Sequence, residues 1–128
     1  MKAGTIQILD LDFEFKLWKN RLYYYQSELE IMLGRIFVLH REHPAYKIPD
    51  EKKELIEKQQ QTVRHILNEI ENMEQEMSLY AEDYPISENH QHYAVHEQIR
   101  KGMDSLAAKQ AEIMCYLFPD LCYPKVTR

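Results

Sequence analysis

Six histidines and two cysteines are the side chains of this chain with metal or nucleophilic chemistry to offer, and their spacing limits what they can do. His92 and His96 stand four apart, as do His65 and Glu69, and on a helix each pair shares one face. Two such pairs on neighbouring helices would supply the nitrogen and oxygen ligands of a di-iron centre. Reflecting the chain through the turn near Pro85, however, sets His65 and Glu69 several helical turns away from the two later histidines. His65 also falls on the outer face of its helix, and the chain contains no Glu-x-x-His motif. The set that survives is His92 and His96 with Glu14 or Glu76, which would suit zinc, or ferrous or manganous ion. Histidines near a bundle end also commonly hydrogen-bond a neighbouring Glu or Tyr. His90 reads as a surface residue in the first turn of the last helix.

His40, His43, Cys115 and Cys122 offer the mixed nitrogen and sulfur ligation that zinc favours, without a zinc-site spacing and with Cys115 turned outward. Neither cysteine has a neighbour that would lower its pKa for nucleophilic work, and no Gly-rich phosphate loop is present. No resident cofactor and no enzymatic activity are therefore expected.

The elements that must position these residues follow from periodicity. Ile8, Leu11, Phe15, Trp18, Leu22, Tyr25, Leu29, Met32, Ile36 and Leu39 alternate three- and four-residue steps, a heptad seam. At ~1.5 Å per residue this helix is roughly 50 Å long and needs partners to bury its apolar face. The opening Ile6 to Phe15 also alternates with period two, so a strand competes there, but no partner strand is visible and the helix reading prevails over 7–43. Pro44 and Pro49 bracket a connection, and Asp50 opens a second helix over 50–82 with negative charge in its first turn. Ser87 reads as the cap of a third helix over 88–118, stopped by Pro119 and followed by a tail, 119–128. Short connections force antiparallel neighbours. The expectation is an all-α, single-domain, up-down-up three-helix bundle across 1–128 with long coiled-coil-like helices.

At the middle of that bundle the reflection brings Gly34, Gln59 and Gln110 to one height. A buried contact between the two glutamines beneath the glycine would fix register, as a lone polar seam residue does in coiled coils.

The first helix has a second apolar stripe. Leu17, Tyr24, Ile31 and Val38 recur every seven residues, joined by Phe13, and lie about 130° from the first seam at ~100° per residue. Two neighbours in a three-helix bundle do not cover that direction, so the stripe predicts a homodimer or higher oligomer. Tyr23 to Tyr25, Met73 and Met77 read as core filling rather than as a cofactor or peptide surface.

A formal charge of −5 and a pI near 5.7 argue against nucleic acid or anionic lipid as a partner. The chain shows no signal-peptide h-region, no apolar run of membrane-spanning length and no disulfide framework, so a cytoplasmic setting is expected. The run Phe13 to Leu29, FEFKLWKNRLYYYQSEL, together with the His-rich Asn89-His90-Gln91-His92, resembles the first and last helices of small bacterial helical-bundle proteins of unknown function. That resemblance implies a three-helix fold and no catalytic residue. The expected role is association, with itself through the first helix and also with another protein, or else metal binding through the His92 and His96 set.

Overall fold

The computed structural model describes residues 5–81, 84–87 and 89–122, apart from the side chains of Thr5 and Cys122. Its elements run β1 (Thr5–Gln7), α1 (Ile8–Glu42), α2 (Asp50–Met77), β2 (Pro85–Ser87) and α3 (Gln91–Cys122). The three helices pack against one another as an all-α three-helix bundle. Cross-links give their directions: Lys19 of α1 bonds Glu74 of α2 at 2.8 Å, Lys52 of α2 pairs with Asp120 of α3, and Arg35 of α1 reaches the Leu121 carbonyl of α3 at 2.9 Å. Thus α2 runs antiparallel to α1 and α3, and α3 returns parallel to α1. The core is the predicted seam, with Phe15, Leu22, Leu29, Ile56, Ile70, Ile99, Ile113 and Leu117 all removed from solvent.

The strand signal at the amino end is partly real. Thr5, Ile6 and Gln7 pair antiparallel with Ser87, Ile86 and Pro85, so the partner strand lies in the connection between α2 and α3. Ile86 is fully buried, and the Ile8 N–H donates to the Tyr84 carbonyl at 3.0 Å, anchoring that connection to the start of α1. Asp10 accepts the Gln7 N–H at 3.1 Å, closing the entry to the helix from its first turn. Ser87 therefore belongs to a strand and does not cap α3; His90 takes over part of that work, its Nδ1 accepting the His92 N–H at 3.0 Å. The helix 2 limit at 82 and the helix 3 start at 88 fall on residues outside those described, while α2 itself ends at Met77.

Pro119 does not stop α3, which continues to Cys122. Proline removes one backbone donor and strains the preceding turn, but contacts beyond it hold the helix. Leu117 and Leu121 are buried, and Tyr46 donates its hydroxyl to the Asp120 carbonyl at 2.8 Å. Together with the Arg35 and Lys52 contacts, this ties the end of α3 to both neighbours. Residues 119–122 of the expected tail are thus helical, and 123–128 lie outside the described residues.

Candidate functional site

Two places combine polar chemistry with unusual burial, and a third combines apolar chemistry with exposure. The first is where His96, on α3, packs between Phe15 and Trp18 of α1, with ring centroids 4.6 and 4.8 Å away. It is 1% exposed, its Nε2 lies 2.7 Å from Glu14 Oε1, and among the described residues its Nδ1 has no hydrogen-bond partner. The partners assign the neutral tautomer: Nε2–H donates to Glu14 and Nδ1 keeps a bare lone pair. A protonated ring would bury a second N–H with nothing to receive it. Burial accordingly lowers the His96 pKa below its ordinary 6.5, against the opposing pull of Glu14.

Arg100, one turn further along α3, spans both oxygens of Glu14 at 2.6 and 2.5 Å, bonds Glu97 at 3.0 Å and lies 5.3 Å from the centre of the Trp18 ring. Burial raises the Glu14 pKa, but the Arg100 and His96 bonds outweigh it and hold the carboxyl below its ordinary value. Glu14 is therefore saturated by a guanidinium and an imidazole. Arg100 was the member of this cluster that the sequence reading passed over. Its signal was its place one turn beyond a seam histidine, on the side facing α1.

The remaining candidate ligands do not join this cluster. His92 is buried one turn earlier, edge-on to Tyr80 with centroids 5.3 Å apart, and its Nδ1 also lacks a partner among the described residues. Glu76 is exposed and lines a cleft at the bundle end with Tyr80, His90 and His92. Among the described residues no group of three or more His, Cys, Asp or Glu is placed to hold a metal ion. His90 is half-buried rather than a free surface residue. At the other end, His40 accepts the Ile48 N–H at 3.3 Å and Cys115 is exposed, while the Cys122 side chain lies outside the described residues. His65 and Glu69 form an exposed pair 3.6 Å apart on the outside of α2, as expected.

Mid-bundle, the glutamine contact is present. Gln59 Nε2 donates to Gln110 Oε1 at 3.0 Å and to the Leu106 carbonyl at 3.1 Å, while Gln110 Nε2 donates to the Tyr25 carbonyl and to Glu28. Gly34 is not part of it. The α1 residues at this height are Tyr25 and Glu28, and a Cβ built on Gly34 meets nothing within 4 Å among the described residues.

The third place is the outer face of α1. Phe13 is 64% exposed, Leu17 53%, Tyr24 61% and Ile31 71%, in one line along the helix; Val38, at its end, is half-buried. Beside Ile31 a groove of about 560 Å³ opens between α1 and α3, lined by Met32, Arg35, Met114, Phe118 and Leu121. Phe118 escaped notice because the helix carrying it was expected to end beside it. Its spacing of four from Met114 was the available signal.

Comparison with known protein families, with curated proteins and with solved structures yields no match for this chain. No helix among the described residues is long and apolar enough to cross a membrane.

Proposed function

We propose that this chain is a non-enzymatic association module of the cytoplasm that pairs with itself through the outer face of α1. The observation that carries this reading is the exposed row Phe13, Leu17, Tyr24 and Ile31, continued by Phe118 across the groove. Scattered exposed apolar residues are normal on any surface. A row at heptad spacing on the longest helix is different, because every member can be buried at once by a single partner helix. The acidic balance of the chain disfavours nucleic acid and anionic lipid as what covers it. Burying the row against a second copy would remove apolar surface on both chains, at about 25 cal/mol per Å² of area lost from water. Light scattering at high micromolar concentration tests the reading: a dimer or larger species is expected, and a monomer contradicts it.

A further inference from the structure

The outer stripe of α1 lies within a complete second seam, Leu17, Asn20, Tyr24, Ser27, Ile31, Gly34, Val38, in which large apolar residues alternate with small or polar ones. Asn20, Ser27 and Gly34 are exposed like the large residues between them. Building on the self-association reading above, we propose that two copies pair antiparallel along this seam. Leu17 then lies opposite the partner's Gly34, Asn20 opposite the partner's Ile31, and Tyr24 opposite the partner's Ser27.

Shape supports this arrangement. In a parallel in-register pair each layer sets a residue against itself, so large meets large and small meets small. In the antiparallel pair Leu17, Tyr24 and Ile31 each face a small or polar side chain, which fills space evenly along the middle of the seam, and Val38 meets the partner's Phe13 at either end. Among the described residues nothing lies within 4 Å of a Cβ at Gly34, which leaves room for the partner's Leu17. That side chain would also lie beside the groove formed by Ile31 and Phe118.

Charge selects the register. Along the α3 side of the seam every seventh residue carries alternating sign: Glu14, Arg21, Glu28, Arg35. Antiparallel helices bring this edge against its own copy. In the proposed register Arg21 meets the partner's Glu28 and Arg35 meets the partner's Glu14, and each pair occurs twice by symmetry. A slip of one heptad in one direction sets Arg21 against the partner's Arg21 and Glu14 against the partner's Glu28. The opposite slip sets Glu28 against the partner's Glu28 and Arg21 against the partner's Arg35. Along this edge both slips are repulsive, although the first also brings Lys16 against the partner's Glu30, an attraction on the opposite edge. A parallel pair places Lys16 beside the partner's Arg21 and Glu30 beside the partner's Arg35, so repulsion cancels attraction. Arg21 and Arg35 are exposed and Glu28 is half-buried, so the pairing groups are accessible. Glu14 is already held by Arg100 and His96, and the selection therefore rests chiefly on Arg21 with Glu28.

Sedimentation of the full chain tests both levels. A dimer is expected for the wild type, weakened about tenfold by Arg21→Glu, which replaces two attractive pairs with two repulsive ones. An equimolar mixture of Arg21→Glu with Glu28→Arg should form heterodimers more tightly than either variant forms homodimers. Because Glu28 also accepts a bond from Gln110, a second measurement avoids altering it. With Cys115→Ser and Cys122→Ser as background, Asn20→Cys chains mixed with Ile31→Cys chains should oxidise to mixed disulfide dimers and not to like pairs. A monomeric wild type overturns this proposal together with self-association. A dimer that Arg21→Glu leaves unchanged or tightens, or one that traps like pairs, overturns the antiparallel register and leaves self-association standing.

Discussion

The two faces of α1 carry the same seven-residue repeat and similar side chains, but inside one chain they meet opposite fates. Leu11, Leu22 and Leu29 are buried by α2 and α3, whereas Leu17, Tyr24 and Ile31 face outward. Two neighbouring helices occupy one side of a helix and leave the opposite arc free. The difference shows that apolar periodicity marks a surface that needs covering without saying which chain covers it. What separates the faces is the residues between the large ones. The inner seam is apolar at nearly every step, as a core within one chain requires, while the outer seam interleaves Asn20, Ser27 and Gly34.

The sharpest way to break this comparison is to truncate one large residue on each face. Leu22→Ala should lower stability by about 2–5 kcal/mol, because the cavity it leaves is enclosed by two other helices. Ile31→Lys should change the unfolding free energy of the monomer by no more than about 0.5 kcal/mol. Urea denaturation at low micromolar concentration checks both, and similar losses from the two variants would mean that the faces are not distinct.

The next test concerns what keeps the inner face in register. Gln59→Leu removes both donors that serve Gln110 and the Leu106 carbonyl, and leaving buried partners unsatisfied should cost about 1–3 kcal/mol. Combined with Gln110→Leu the loss should fall short of the sum by more than about 0.5 kcal/mol. Additive losses would reduce the contact to two independent residues.

A smaller effect separates the His96 end of the inner face from the rest. Because burial lowers the His96 pKa, the unfolded chain binds more protons than the folded one at pH values between that lowered pKa and 6.5. Stability should therefore fall as pH drops below about 6.5, by at most about 1.4 kcal/mol per pH unit for one proton. Glu14 acts in a lower window: its stabilisation is present above 4.5 and is lost as pH falls through its depressed pKa. Thermal denaturation between pH 7 and 5 should show the first slope in the wild type and lose it in His96→Phe. A slope that survives this substitution assigns the proton to another group.

The bundle and its seams were legible because heptad spacing is a direct imprint of helix packing, and the glutamines stood out as polar interruptions of otherwise apolar seams. Gly34 was misplaced because reflection through the turns assumes compact links. Reflection through the link containing β2 succeeds, since Gln59 does meet Gln110, and the displacement arises in the link between α1 and α2, where Ile48 is buried, leaving Tyr25 and Glu28 opposite Gln110. The paired strands were only half visible, since Pro85 to Ser87 carries no periodicity of its own and is defined by what it meets. Pro119 misled for a similar reason, because contacts from Arg35, Tyr46 and Lys52 outweigh the local penalty of proline. The charged cluster was hidden because a histidine and a carboxylate on neighbouring helices suit a metal as well as they suit an arginine, and only the geometry shows that Arg100 takes both oxygens of Glu14.

Association through the outer face of α1 makes apparent stability depend on chain concentration, because only the folded state pairs. The thermal midpoint of the wild type, measured at two protein concentrations a hundredfold apart, should rise with concentration, and the rise should vanish in Ile31→Lys. A wild-type midpoint that is the same at both concentrations would contradict the account.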